Sequence, residues 1–415
     1  MFVLNKIVYL QAEILLSMES LYFIFYQKLR DVKLHFKRYL FHQIIWADRL
    51  ICILGERGVG KSTMILQFIK STFGNSPRNV LYVSLDHVWF SIHSLYELGE
   101  QFVLQGGDYL FLDEVHKYRN WSQEIKNLYD SFPQLKIVFT GSSILEIEKG
   151  NADLSRRVTV YTMKGMSFRE FLEFDKGIIQ EPVSLQDVLN NHEEIALKIT
   201  EDTHILPYFS IYLKYGYFPY YKENKQDYYN RLERTLRVVL EEDLPAVEKI
   251  DYYSIDRIKQ LLVIISTMVP FTPNISELSG KIGVSRNSLL AYLRYLSKAG
   301  IIHLLQSDQS ALRQLTKPEK IYLGNPNYCY ALSFDRIPDV GNLRETFFMT
   351  QLSVCKVRYT SETDFLINGK YYFEVGGRNK GSDQIVGLDN AFLALDDIEI
   401  GIGNRIPLWL FGFLY

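Results

Sequence analysis

Eight consecutive residues have the types and order needed to hold a chain of phosphates. They are Gly55-Glu56-Arg57-Gly58-Val59-Gly60-Lys61-Ser62, a complete GxxxxGK[ST]. Glycines let backbone N–H groups fold round phosphate oxygens, and a helix that follows directs its positive end at them. Gly55, Gly58, Val59, Gly60 and Thr63 would line the phosphates. Lys61 would reach the β- and γ-phosphates, and the Ser62 hydroxyl would ligate Mg²⁺. The expected ligands are ATP and Mg²⁺. "YLFLDE" supplies the other half: Asp113, at the end of an apolar run, would hold the metal, usually through water. Glu114 is placed to polarise an attacking water, which separates a hydrolase from a mere nucleotide binder; the same acid pair could instead cap a following helix. Thr140, Ser142 and Ser143 end a later apolar run. Ser142 is the preferred sensor of the γ-phosphate, with a plain turn as its alternative role.

These groups need strands and helices to aim them. "RLICILGERGVGKSTMILQFIK" reads as strand, glycine-rich turn, then helix, with Met64, Ile65, Phe68 and Ile69 at helical spacing. "NVLYVSLD", "YLFLDE", "QLKIVFTGSS" and "RRVTVYTM" are further strands, and "WSQEIKNLYDSF" is a helix. Apolar strands alternating with helices imply an α/β fold with a parallel sheet covered on both faces.

The chain has 415 residues, too many for one core, and two to four domains are expected. With 47% hydrophobic residues, 23% charged residues and a net charge of −2, it reads as globular, and a whole-surface nucleic-acid binder is disfavoured. Cys52, Cys329 and Cys355 form no CxxC pair, which points to a reducing, cytoplasmic setting without a zinc site. The apolar N-terminus is interrupted by Lys6, Glu13 and Glu19. No transmembrane segment is expected there, but an amphipathic helix docking on the protein or on a partner.

"GERGVGKST", "YLFLDEVHKYRNW", "KIVFTGSS" and "DLSRRVTVYTMKGMSFREFLEF" together resemble the prokaryotic P-loop ATPases of the AAA superfamily that carry an uncharacterised C-terminal domain. The resemblance, which begins at about Arg38, implies an ATPase, and with the pattern of the residues it divides the chain into five parts. These are an N-terminal amphipathic helix (1–32), a P-loop NTPase parallel-sheet domain (33–165), a helical lid (166–260), a winged-helix-like module (261–335) and a restriction-endonuclease-like α+β domain (336–415). It places Arg157 on the arginine that could act as a finger toward ATP, in cis or from a neighbouring subunit. Arg156 stands where the family has glycine, and a surface salt bridge is the other reading of Arg157. "YGYFP" falls on the family's lid element, although a helix break at Pro219 accounts for the same residues.

"NISELSGKIGVSRNSLLAYLRYLSKAGIIHLL" reads as a helix, a turn at Gly283-Val284-Ser285, and a second helix to Lys298, with Ser285 as N-cap and Gly300 as stop. Lys281, Arg286, Arg294 and Lys298 favour phosphate, so DNA contact through this helix-turn-helix is one expectation. The other, preferred here, is a protein-interaction module.

In the last segment, "TDFLINGKYYFEVGGR", Asp364 and Glu374 are acids in strand-like sequence. The resemblance adds Glu345 and makes the three a second metal site in a nuclease-like domain, but Gly376 stands where that fold has lysine. Arg378 or Lys380 could reach in. A two-residue Asn368-Gly369 loop pairs Asp364 with Phe373 and sends the two acids to opposite faces. A three-residue loop, Ile367-Asn368-Gly369, pairs Asp364 with Tyr372 and puts Glu374 on the same face. The second is expected, with nuclease activity weak or absent.

Overall fold

The apolar runs of the N-terminal part pair side by side. β1 (Leu50–Gly55), β2 (Val80–Ser84), β3 (Tyr109–Asp113), β4 (Lys136–Ser142) and β5 (Thr159–Met163) form one sheet in the order β2-β3-β4-β1-β5. Every pairing is parallel. Ile51, Cys52, Ile53, Leu110, Phe111, Leu112, Ile137 and Phe139 are all 0% exposed, the burial a two-sided parallel sheet demands. The computed structural model describes residues 17–143, 154, 156–248, 250–268, 270–307 and 317–415. It divides into two units, one comprising residues up to 164 with 246–249, the other 165–245 with 250–415.

In the first unit the helix Met18–Asp31 buries Leu21, Phe25 and Leu29 and packs on β2, so the described part of the expected N-terminal helix docks on its own protein. Residues 1–16 lie outside the described residues.

The second unit begins at the helix Phe168–Lys176, whose N-cap Ser167 forms a capping box with Glu170. The Ser167 hydroxyl and Arg169 Nε donate to the Tyr415 carbonyl at 2.8 and 3.0 Å. The segment "LWLFGF" is a buried 3₁₀ helix, Leu408–Phe413. The helices expected to form a lid therefore build their core with the C-terminal residues. "YGYFP" is part of this core: Asn327, fully buried, accepts from the Tyr217 N–H at 3.0 Å and the Tyr228 hydroxyl at 2.5 Å, and donates to the Leu213 carbonyl at 2.9 Å. It also donates to the Tyr212 carbonyl at 3.3 Å, and a buried carboxamide satisfied by four neighbours specifies their positions.

Next come the helices Tyr252–Met268, Ile275–Ile282 and Arg286–Lys298, followed by antiparallel β6 (Ile302–Leu305) and β7 (Lys320–Leu323). Phe271 bridges Ile321. Asn274 and Ser285 cap the second and third helices, and Gly283 adopts the left-handed conformation between them. A last sheet has the order β12-β11-β10-β9-β8, from β8 (Val357–Arg358), β9 (Phe365–Ile367), β10 (Tyr371–Gly376), β11 (Ala391–Leu395) and β12 (Arg405–Pro407). β8, β9 and β10 are antiparallel neighbours, while β10, β11 and β12 run parallel.

Candidate functional site

The GxxxxGKS residues join β1 to the helix Lys61–Phe73. Gly58 and Gly60 have φ of 88° and 101°, a region glycine enters without strain. Gly55 has no room for a side chain, since a Cβ would lie 2.4 Å from the Met163 carbonyl oxygen of β5. Lys61 is buried and donates to the carbonyls of Gly55 at 2.7 Å and Glu56 at 3.0 Å. Its charge thus rests on the loop itself, on two neutral oxygens that an anionic phosphate can replace. Ser62 and Thr63 occupy the first turn of the helix.

Asp113 ends β3 with 4% exposure. Its Oδ2 accepts from the Tyr82 hydroxyl at 2.5 Å, and its Oδ1 accepts from the Thr140 hydroxyl. Burial first, then the Asp113 charge, pushes the Tyr82 hydroxyl far above its usual range, so it keeps its proton. Glu114 has left-handed backbone geometry (φ 54°), its N–H donates to Thr140 Oγ1 at 3.1 Å, and its Oε2 lies 3.3 Å from His116 Nε2. The Ser142 N–H donates to His116 Nδ1 at 3.4 Å. One hydroxyl, one carboxylate and the nearby phenol form an all-oxygen set, which suits a hard cation such as Mg²⁺.

Two residues missed in the sequence also shape the loop. Arg38, 3% exposed, donates to the Val59 carbonyl inside the loop and to the Lys164 carbonyl at 2.7 Å, tying the loop to the end of β5. Burial lowers the pKa of Lys164, with Glu56 opposing the shift. Nothing periodic marks either residue; the only signal was a polar side chain next to an apolar run.

Arg157 pairs with Asp130, Nε to Oδ1 at 3.1 Å and Nη2 to Oδ2 at 3.3 Å, the surface-salt-bridge alternative in geometric form. Ser155, in the same motif, lies outside the described residues.

The acids of the last domain do converge, in a register neither expectation had. Phe365 pairs with Phe373 and Ile367 with Tyr371, so the loop is Asn368-Gly369-Lys370 and Asp364 lies directly across from Glu374. Asn368 and Gly369 are both left-handed (φ 55° and 68°), and Lys370 supplies the extra residue. The Asp364 N–H donates to Glu374 Oε2 at 3.2 Å, and the Val375 N–H to Asp364 Oδ2 at 3.0 Å. The expected second metal site is corrected by what fills it. Lys320 Nζ lies 3.1 Å from Asp364 and 3.7 Å from Glu345, Lys380 Nζ lies 2.6 Å from Glu374, and Tyr322 donates to Glu345 at 2.9 Å. Among the described residues no group of three or more His, Cys, Asp or Glu is arranged to hold a metal ion. A Cβ on Gly376 would lie 2.8 Å from Lys380 Cβ and Cγ, so Lys380 fills the room a side chain at 376 would take. Burial and Asp364 raise Glu345 to about 7 against the opposing Lys320 charge, and the same two causes raise Glu374.

Residues 47–172 match the sequence profile of an AAA domain, and residues 207–335 that of a domain of unknown function (DUF8612). With the GxxxxGKS loop between β1 and its helix, the parallel α/β sheet has the P-loop NTPase fold. Two relatives come from Methanocaldococcus jannaschii. Uncharacterized protein MJ1637 is 26% identical over 290 residues, covering 66% of this chain. The chain spans 60% of the length of that relative. Uncharacterized protein MJ1544 is 23% identical over 359 residues, 81% of this chain and 74% of the relative. Among solved structures, AMPPCP-bound DnaA from Aquifex aeolicus aligns over 60% of this chain and 81% of its own, with 14% identity and a TM-score of 0.24. A structure concerning katanin self-assembly aligns over 41% and 59%, also with 14% identity and a TM-score of 0.24. Alignments this loose establish no residue correspondence. No helix among the described residues is long and apolar enough to cross a membrane.

Proposed function

We propose that the first unit is a Mg²⁺-dependent ATPase whose nucleotide state changes how the second unit meets a partner. The observation that carries this is the loop: Lys61 sits buried on two backbone carbonyls, beside left-handed Gly58 and Gly60, at the start of a helix. Lys61 would exchange those carbonyls for β- and γ-phosphate oxygens, and the helix N-terminus would add its dipole. Ser62 and Asp113 would hold Mg²⁺, which would neutralise charge on the β- and γ-oxygens. Glu114 would orient the attacking water, with His116 fixing its carboxylate. Ser142 and Arg157 remain sensor and finger candidates, and Arg157 would have to leave Asp130 to serve.

Three helices followed by the antiparallel β6 and β7 support the reading of residues 261–335 as a winged-helix-like module. We favour it as a protein-interaction module, because Lys281 is engaged by Glu277 at 2.7 Å and Arg294 and Lys298 are half-buried, which leaves Arg286 exposed at the helix start. The last domain is read as nuclease-like in shape, with its acids committed to lysines.

The test is ATP hydrolysis with and without DNA, using Lys61→Ala as the blank. Wild-type turnover should vanish in Lys61→Ala, and Glu114→Gln should bind ATP but turn over about 100-fold more slowly or worse. Turnover in Lys61→Ala equal to wild type would sink the ATPase reading. A slow rate untouched by Glu114→Gln would favour a nucleotide-gated switch, and strong stimulation by DNA would overturn the interaction-module preference.

A further inference from the structure

The ATPase reading assigns no part to the Tyr82 hydroxyl, although it is bonded to Asp113, one of the two groups expected to hold the metal. Tyr82 lies on β2 with 3% exposure. Its ring faces Phe25 at 6.3 Å, with Lys28 Nζ 5.2 Å from the ring centroid. A phenylalanine would fill that apolar slot equally well. The hydroxyl is what differs, and it donates its proton to Asp113 Oδ2 at 2.5 Å. Thr140 donates to the other oxygen of Asp113 and accepts from the Glu114 N–H at 3.1 Å. Hydrogen bonds therefore run without a break through Tyr82, Asp113, Thr140 and Glu114.

We propose that Tyr82 is a positioning residue for the metal side of the nucleotide site, holding Asp113 in the orientation that accepts a divalent cation. The proposal rests on the ATPase reading. By donating to Asp113, Tyr82 fixes the carboxylate through a neutral partner, which orients the negative charge without cancelling it. A lysine or arginine at that place would hold the carboxylate as firmly and repel the cation. Tyr82 touches neither the reacting phosphorus nor the attacking water in this scheme; it acts through Asp113.

The experiment measures binding rather than turnover. A fluorescent ATP analogue is titrated onto the full chain in EDTA and then in rising Mg²⁺, for wild type, Tyr82→Phe, Asp113→Asn, the double variant and Lys61→Ala. Tyr82→Phe should bind the analogue in EDTA within about twofold of wild type, which also shows that it is folded. It should need about tenfold more free Mg²⁺ to reach the tightened state, the size expected for one hydrogen bond to a charged group. In the Asp113→Asn background the same substitution should change the Mg²⁺ requirement by less than about twofold, because its effect passes through Asp113. An unchanged requirement in Tyr82→Phe overturns the proposal while leaving the ATPase reading intact. So does a loss that is simply additive with Asp113→Asn, or a loss already present in EDTA, since either marks a purely structural hydroxyl. Wild type that binds no nucleotide, or binds it no better than Lys61→Ala, overturns the ATPase reading and this proposal together.

Discussion

Two groups of buried acids in this protein are satisfied in opposite ways. Asp113, in the first unit, has both oxygens held by neutral hydroxyls, those of Tyr82 and Thr140. Asp364 and Glu374, in the second, meet the ammonium groups of Lys320 and Lys380, with Glu345 sharing Lys320. A hydroxyl satisfies a carboxylate without neutralising it, so the first site keeps a negative charge to offer an incoming cation. An ammonium does both, and the second site carries its cations within the chain. Proximity of acids is therefore a poor guide to metal binding. The donors around them decide.

The contrast can be attacked at three points, the largest effect first. Glu374 is 3% exposed and relies on Lys380. Lys380→Met keeps the aliphatic stem beside Gly376 and removes only the charge. It should cost about 2–3 kcal/mol in the denaturant unfolding of the second unit, because a buried carboxylate loses its partner and escapes only in part by taking up a proton. Loss below about 0.5 kcal/mol would show that the lysine is not what satisfies this site.

A smaller effect should follow pH. Glu345 is raised to about 7, chiefly by burial and then by Asp364. A carboxyl whose pKa rises on folding binds its proton more tightly in the folded state. The stability it contributes is complete below the unfolded carboxylate range and is lost as pH climbs through about 7. Glu345→Gln removes that loss. Melting curves should show the variant about 1 kcal/mol more stable than wild type at pH 8, with the two converging below about pH 4. Equal stabilities at pH 8 would mean that Lys320 already compensates the charge in full.

The smallest expected effect is none at all. With its acids bound to lysines, purified protein should leave supercoiled DNA intact in Mg²⁺ or Mn²⁺. Nicking that Asp364→Ala abolishes would show that a cation displaces Lys320, and the contrast between the two sites would collapse.

How much of this was legible in the sequence depends on the distance over which each feature is written. The phosphate loop and the strand ending at Asp113 are contiguous, so both residue types and their elements could be read. Tyr82 left a faint mark, a polar-tipped aromatic in an otherwise apolar strand, which needs a partner for its hydroxyl once buried. Arg38 left less, because its acceptors are backbone carbonyls, which no side-chain pattern encodes. At the C-terminal cluster the acids were evident, but Lys320 lies 44 residues from Asp364. The turn was misjudged by one residue: Asn-Gly fixes the left-handed pair but not whether Lys370 joins the loop. That single step decides whether the acids lie diagonally or face each other. The lid is what the resemblance implies for the helices after residue 165; distant partners such as Phe347 against Phe209 and Phe413 against Phe168 leave no local pattern that would reveal them.

That last pairing constrains how the protein can be made. The Ser167 hydroxyl and the Tyr415 carbonyl are 248 positions apart. The strands of the first unit lie within about 115 residues of one another and can pair soon after they leave the ribosome. The helix Phe168–Lys176 has that option only in part. Phe209 and Tyr212 can cover Phe168 and Phe171 soon after it emerges, but the rest of its cover waits through the synthesis of almost everything that follows, until Leu408–Phe413 brings Phe413 against Phe168. At ribosomal speeds of roughly 5–20 residues per second the wait is on the order of 10 to 50 seconds. For that interval its apolar face is a target for chaperones, and slowed translation of the last third should cost the second unit yield while sparing the first.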